Sequence, residues 1–449
     1  MTTSAAVEPS SSPSLQPPLD AARHIQYWQR CFRSVLPHHY TSNDSIRLTL
    51  GFFILSALDL LSPSSPTPLI TSEDRPRLRA WVLRLQHPHG GFCGSPHHVL
   101  PPSFTSRFDS ETKTYVARDV ANANIAATGF ALLCLGILAE GDGSDAFRGV
   151  DRVRTLTWLK KLQRDDGSFG EVLTSDGHIS GGRDMRYCYI AAIIRWALGG
   201  AEGDRSLDFD VDALVRHIRR AQTFDGGMSE SSTHESHSGY AYCAVAALAL
   251  LDSSDPESHA TPNRYIHAGI PSIPSLIHFL VSRQLVYSDS KDGHESDEDD
   301  GDDDDDTPDY LSPSSLAEAA SQTVGFNGRL NKVPDTCYTW WNSGALSLLG
   351  EDGLVGRGPA RRFLLEKTQH RIGGFAKHPG GPPDVYHAYM GLAALATIAG
   401  PDGEPGLRAF DARLCISADA AARMAKARES MLRPTENTTD GGDDDDEGD

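Results

Sequence analysis

Alternation of apolar and polar residues with period two is almost absent from this chain, which argues against an all-β fold. No CxxC pair occurs either: seven cysteines, at 31, 93, 134, 188, 243, 337 and 415, are scattered through 449 residues. An odd, dispersed set fits a reducing compartment better than a disulfide framework. The longest apolar stretch, Ile125 to Ala139, is broken by Thr128 and two glycines. It falls short of the roughly 18 residues that suggest a membrane span. Residues 1–20, rich in Ser and Pro, lack the cationic start and apolar run of a signal peptide. These absences predict a cytoplasmic protein with no membrane insertion.

The body of the chain also lacks net charge. Asp289–Asp309 carries 13 acids and one Lys, Thr435–Asp449 carries 8 acids and no cation, and together they hold the whole formal charge of −20. A neutral body predicts no nucleic-acid partner. Runs of Asp without aromatics bury too little apolar surface to offset the entropy of ordering. We expect one domain over 21–430, flanked by disordered residues 1–20 and 431–449 and interrupted by a disordered acidic insertion at 288–312.

What the chain does have is a recurring glycine-aromatic turn between helical runs. It is seen at Gly90–Gly94, Asp166–Gly170, Asp225–Met228, Gly325–Gly328 and Gly373–Phe375. Each follows a helix rich in Leu, Arg and Gln, such as Ala80–Gln86 or Thr155–Gln163. Most precede an apolar helix: Met185–Leu198, Tyr240–Leu251, Cys337–Leu349 and Val385–Ile398. At the front, a helix from His24 breaks near Tyr40–Asp44 and resumes from Ser45 to Leu61. A two-helix unit repeated along the chain predicts a helical repeat architecture. The apolar helices should form an inner layer and the amphipathic ones an outer layer. Closed into a ring, such an array leaves a central cavity, with the inner-helix starts at one mouth, where helix N-termini attract anions.

Several polar residues break the apolar pattern at those starts: Arg186, His237, Asp335, Cys337 and His387. Asp, Cys and His are ordinary zinc ligands, and three of them with one open position is a catalytic pattern. The same residues also read as a capping Asp, a buried Cys and a core His. Arg329 and Lys332, in a glycine-flanked loop just before Asp335, suggest an anion pocket, or solvated surface cations. Tyr240, Tyr242, Tyr338, Trp340, Trp341, Tyr386 and Tyr389 cluster near inner-helix starts, as core or as the wall of an apolar pocket.

The segment Gly328-Arg-Leu-Asn-Lys-Val-Pro-Asp-Thr-Cys-Tyr-Thr-Trp-Trp341, with Asp384-Val-Tyr-His387, closely resembles the β subunit of protein prenyltransferases. The resemblance spans about His24 to Ala425 and implies an α/α toroid. It implies that Asp335, Cys337 and His387 hold one zinc ion per subunit. It implies isoprenoid diphosphate contacts from His237, Ser238, Gly239, Arg329, Leu330, Asn331, Lys332, Tyr338, Thr339, Trp340 and Trp341. Lys377, Tyr338, Arg329 and Lys332 are expected to stabilise the leaving diphosphate.

Tyr27-Trp-Gln-Arg-Cys-Phe-Arg-Ser-Val-Leu-Pro37, Arg47-Leu-Thr-Leu-Gly-Phe-Phe53 and Gly373-Gly-Phe-Ala-Lys-His-Pro379 resemble the geranylgeranyltransferase type I β subunit. A small Thr49, with Phe53 nearby, leaves room for a longer isoprenoid. Lys377, where the farnesyl enzyme has an Asp that uses magnesium, implies no magnesium requirement. Asn124 and Gly182 depart from the family pattern near Arg186. Tyr386 stands where the type I enzyme often has Leu and is similar to the farnesyl enzyme, so these positions bear on peptide choice.

The expected activity is transfer of geranylgeranyl from its diphosphate to the Cys of C-terminal CaaX motifs through a zinc-bound thiolate. The resemblance implies an obligate heterodimer with a prenyltransferase α subunit and substrates such as CaaX-ending small GTPases. The alternatives are a farnesyltransferase β subunit, the Rab geranylgeranyl enzyme, a terpene cyclase on the same toroid, and a non-enzymatic helical-repeat scaffold.

Overall fold

The computed structural model describes residues 18–97, 106–117, 123–174, 177–202, 204–255, 260–287 and 322–433. The three segments expected to be disordered lie wholly or largely outside them. The helices run in chain order as α1 (Ala21–Arg33), α2 (Arg47–Leu60), α3 (Asp74–Leu83), α4 (Ile125–Leu138) and α5 (Arg152–Lys161). They continue as α6 (Met185–Ala197), α7 (Val211–Arg219), α8 (Ser238–Ser254), α9 (Arg264–Gly269) and α10 (Ile273–Val281). The last four are α11 (Thr336–Leu348), α12 (Arg357–Arg362), α13 (Val385–Ile398) and α14 (Ala418–Leu432). A 3₁₀ stretch, His38–Ile46, fills the predicted break before α2.

Six helices form the inner ring. Around it, α2 packs on α4, α4 on α6, α6 on α8, α8 on α11, α11 on α13, and α13 back on α2. Their apolar sequences explain the placement, because a helix buried on most of its circumference needs apolar residues all round. Thus α4 buries nearly every side chain from Ile125 to Leu138. At one end of the ring α14 packs on α4 and α6. There the 410–417 hairpin is pinned by three buried tyrosines. The Tyr242 hydroxyl donates to the Ala412 carbonyl, Tyr189 to Arg413 and Tyr389 to Cys415.

One side-chain device recurs around the outer layer. Gln86 Oε1 accepts from the Asp151 amide at 2.7 Å, Gln163 from Asp210 at 2.8 Å and Gln222 from Ser272 at 2.8 Å. Gln284 takes the Gly356 amide at 2.9 Å, and Gln369 takes Asp20 at 3.3 Å. Each accepted amide belongs to the N-cap of the next outer helix, α5, α7, α10, α12 and α1 in turn. The fifth link joins the end of the chain to its beginning and closes the toroid. Each Gln also bridges to the aromatic residue or Met of its glycine turn: Phe92, Phe169, Met228, Phe326 or Phe375.

Four of these bridges are isolated single-residue pairs, and the fifth opens the antiparallel pair Gln284–Val286 with Val324–Phe326. The described strands are only two to four residues long, as in Phe92–Cys93 paired with Ala123–Asn124, too short for period-two reading to show. Glycine is required where the turn presses on the next outer helix. At Gly373, with φ +85°, a Cβ would lie 2.2 Å from the Arg23 carbonyl oxygen, and at Gly167, with φ +91°, 2.0 Å from that of Ala213.

Candidate functional site

The glycine turns deliver the chain to the N-termini of the inner helices, so those termini gather at one mouth of the ring. Two adjacent ones carry the strongest cluster. Asp335 is the N-cap of α11, and its Oδ1 accepts from the Cys337 amide at 2.7 Å. Asp384 is the N-cap of α13, and its Oδ1 accepts from the His387 amide at 2.8 Å. Because α11 and α13 pack side by side, the ligand atoms of Asp335, Cys337 and His387 all lie within 4.8 Å of one another.

The donor set fits a divalent metal of zinc's character: one carboxylate, one thiol and one imidazole, with a fourth position left over. Asp384 Oδ2 sits 2.6 Å from His387 Nδ1, which leaves Nε2 facing Asp335 Oδ1 at 4.0 Å. A carboxylate on the far nitrogen is how metal-ligating histidines are usually oriented. Burial pushes the Asp384 carboxyl up, but the hydrogen bonds and charge of His387 outweigh it, so the net shift is downward. Burial, then the Asp335 charge, pushes the Cys337 thiol well above its ordinary value. A metal ion, not the protein alone, is what would strip that proton.

The residues expected to bind an anion lie alongside. His237 is the N-cap of α8, and its Nδ1 accepts from the Gly239 amide at 2.9 Å. Its proton therefore sits on Nε2, 3.1 Å from the Tyr338 hydroxyl. The imidazole donates to the phenol oxygen, and the phenol O–H is free to donate to a ligand. Burial first, then the cations Arg329 and Arg186, lower the His237 pKa to about 4, so the ring is neutral at pH 7. The Tyr338 ring fills the space where a Cβ on Gly328 would stand, 1.9 Å from Cε1.

Arg329 NH1 donates to Glu235 Oε2 at 3.0 Å, leaving its other N–H groups available. Lys332 and Lys377 are exposed. The Lys377 carbonyl accepts from the Thr336 amide at 3.0 Å, which ties its loop to the start of α11. Arg186 grips Asp184 with Nε and NH2 at 2.8 and 2.9 Å and lies over the Tyr240 ring.

Beside these helix starts stands an aromatic cluster. Phe53 meets Tyr386 and Tyr389 with ring centroids at 5.7 Å, and Phe52 meets Phe130 at 4.7 Å. Tyr242 packs on Trp341 at 5.1 Å, and half-buried Thr49 lies one turn before Phe53 on α2. Other expected contacts are placed differently. Ser238 is buried, with its hydroxyl on Asn342 Oδ1. Thr339 and Trp340 are both 0 % exposed, and Trp340 packs edge-on to Phe410 rather than toward open space. Leu330 is exposed, and Asn331 takes a left-handed φ of 57° in the turn between the two cations. Asn124 caps α4 by accepting from the Ala127 amide, and the Gly182 carbonyl accepts from Arg164.

Sequence reasoning passed over Glu235 as the partner of Arg329, because nothing in the spacing marks a carboxylate six residues before Ala241 as facing a loop almost a hundred residues away. It also gave Asp384 no role of its own, although an N-cap Asp three residues before a His is a legible signal.

Fold and site together define a family. The Prenyltransferase alpha-alpha toroid domain matches residues 19–416, and the chain belongs to this prenyltransferase family. Within it, the chain is 30% identical over 395 residues to the Geranylgeranyl transferase type-1 subunit beta of Arabidopsis thaliana, covering 86% of this chain and 87% of the relative. It is 26% identical to the protein of the same name from Dictyostelium discoideum, over 83% of this chain and 88% of that one. The Protein farnesyltransferase subunit beta of Schizosaccharomyces pombe is 25% identical, over 84% and 78%. Among solved structures, Candida albicans protein geranylgeranyltransferase-I complexed with GGPP superposes with a TM-score of 0.67 at 25% identity, covering 93% of this chain and 100% of that one.

Proposed function

We propose that this chain is the catalytic β subunit of a type I protein geranylgeranyltransferase, acting on the Cys of C-terminal CaaX motifs in complex with an α subunit. The observation that carries the reading is the convergence of Asp335, Cys337 and His387 on one point. That point sits at the starts of α11 and α13, and the exposed Lys332 and Lys377 lie on the loop before α11 and on the loop whose Lys377 carbonyl accepts from the Thr336 amide. A scaffold reading leaves this convergence without a role.

Asp335, Cys337 and His387 would hold zinc, which would supply Lewis acidity enough to keep a substrate thiol deprotonated at neutral pH, where a free thiol with pKa about 8.5 is mostly protonated. In the transfer, a sulfur–carbon bond forms at the first carbon of the isoprenoid while the carbon–oxygen bond to diphosphate breaks. The thiol proton goes to solvent, and the electron pair leaves with the diphosphate.

The chain's own residues serve that departing charge. Arg329, Lys332 and Lys377 offer fixed positive charge, and Tyr338, oriented by His237, offers a hydroxyl proton. Removing one such donor typically costs about 100- to 1,000-fold in rate. Phe53, Trp341 and Tyr386 hold the isoprenoid and keep water from its reactive carbon. Half-buried Thr49 favours a longer chain, and the Lys377 charge stands in for magnesium. Small GTPases ending in CaaX are the substrates this reading implies. Among the described residues no helix is long and apolar enough to cross a membrane.

The test is a complex of this chain with a type I α subunit, given labelled geranylgeranyl diphosphate and a CaaX peptide. Label on the peptide cysteine, with one zinc per complex, is expected. No transfer and no bound zinc would return the scaffold reading.

A further inference from the structure

We propose that Asn327 and Asn342 are positioning residues for the diphosphate site: their buried amides bracket the Gly328–Lys332 loop against the start of α8 and so set where Arg329 and Lys332 stand. The inference rests on the diphosphate reading above and adds two buried residues to it.

The loop carries its cations on an exposed stretch. Leu330, Asn331, Lys332 and Val333 are exposed, and Arg329 is half-buried. Packing does little to hold chain of that kind, so its shape depends on what grips its ends. Asn327, 3% exposed, donates from Nδ2 to the Lys332 carbonyl at 2.7 Å, which ties the residue before the loop to the loop's last. Its own backbone amide donates to the Arg283 carbonyl at 3.1 Å.

Asn342, 0% exposed on α11, uses both ends of its side-chain amide. Nδ2 donates to the Tyr338 carbonyl one turn back at 2.9 Å and to the Asn327 carbonyl at 3.4 Å. Oδ1 accepts from the Ser238 hydroxyl at 3.0 Å, and the Ser238 amide donates to the Gly328 carbonyl at 2.9 Å. One circuit therefore joins the base of the loop, the helix that carries Tyr338 and the residue next to His237. Four side chains expected to meet the diphosphate, His237, Arg329, Lys332 and Tyr338, sit on it or one residue from it.

Stability alone does not call for this arrangement. Asn327 Oδ1 is buried without a hydrogen-bond partner, and an apolar side chain of the same shape would bury no such acceptor. What the amide provides is a fixed place for the Lys332 backbone. Donors set in advance where charge develops need no rearrangement during the reaction. A displacement of about 1 Å can cost on the order of 100-fold in rate.

The test gives the αβ complex two separate probes, inorganic pyrophosphate and geranylgeraniol, the anion and the chain without it. Asn327→Leu keeps the shape and removes the donor and the unpaired acceptor together. It is expected to bind pyrophosphate about 10-fold more weakly and to turn over about 10- to 100-fold more slowly. Its affinity for the alcohol, its KM for the peptide and its melting temperature should stay close to the wild type's. Asn342→Leu is expected to weaken pyrophosphate binding in the same way, and it keeps the test open if the first variant fails to fold. An Asn327→Leu complex with wild-type pyrophosphate affinity and turnover overturns the proposal. So does one that loses both probes alike, because a merely structural role does that. A wild-type complex that binds the alcohol but no pyrophosphate overturns the diphosphate reading, and the proposal with it.

Discussion

The last link of the toroid should be acid-sensitive, because it runs through a buried histidine. His24, on α1, is 0% exposed, stacks on Phe375 at 4.7 Å and accepts from the Gly374 amide on Nδ1 at 3.2 Å. Its proton therefore sits on Nε2, which donates to Gln369 Oε1 at 3.1 Å. A second proton would set two donors, Nδ1–H and the Gly374 N–H, against each other. Burial is the main reason the pKa falls from 6.5 to about 4, against the opposing pull of Gln369 and Asp20.

A depressed folded-state value means that the unfolded chain binds the proton first. The contribution is complete above pH 6.5 and is lost as pH falls toward about 4. At about 1.4 kcal/mol per pH unit the full loss is on the order of 3 kcal/mol, and about 2 kcal/mol of it is gone by roughly pH 5. His24→Phe keeps the stacking and removes the titration. Its cost near pH 7 is about 1–3 kcal/mol, from the unpaired Gly374 amide and the lost Gln369 contact. Urea unfolding of wild type and variant at about pH 7 and pH 5 measures the difference. The variant should lose about 2 kcal/mol less than wild type between them. Equal losses would refute the assignment of the acid-sensitive step to this clasp.

Three further outcomes follow from the site. Asp384→Asn keeps an acceptor for the His387 amide but not a carboxylate on Nδ1, so zinc affinity measured by chelator competition should fall about 10- to 100-fold; unchanged affinity contradicts the role given to Asp384. Inorganic pyrophosphate binding beside neutral His237, whose pKa is lowered to about 4, should raise that value and take up a proton. Affinity then strengthens as pH falls below 7, and calorimetry in buffers of different ionisation enthalpy should show the uptake, its absence counting against the contact. The 13 acids of Asp289–Asp309 fall between Gln284–Val286 and Val324–Phe326, the strands leading to Arg329. Deleting them should weaken binding of a CaaX peptide with a basic stretch at low salt and leave it unchanged at high salt; equal affinities at low salt would dismiss the effect.

Much of this was legible in the residues. The inner helices show in the sequence as largely apolar runs with polar residues at their starts, and the expected helix Val385–Ile398 has the bounds that the structure gives it. The metal trio is readable because Asp335 and Cys337 are neighbours, and His387 opens the next inner helix. The glutamine links were not readable as links, although Gln86, Gln163, Gln222 and Gln369 each stand six residues before an aromatic residue or Met. Their meaning lies in the amide each one accepts, 47 to 65 residues on or, for Gln369, across the closure. Nor does spacing reveal which aromatics turn inward. Trp340 and Trp341 are adjacent, yet one is sealed against Phe410 and the other reaches Tyr386, a choice made by helix rotation in the ring.

The central claim is tested most directly by giving the αβ complex equal amounts of geranylgeranyl and farnesyl diphosphate, with peptides ending in Leu or Met, with and without magnesium. The account predicts geranylgeranyl on the Leu peptide at a rate that magnesium does not change. Magnesium-dependent transfer of farnesyl to the Met peptide would contradict it, and would show that Tyr386 outweighs Thr49 and Lys377 in setting what this site accepts.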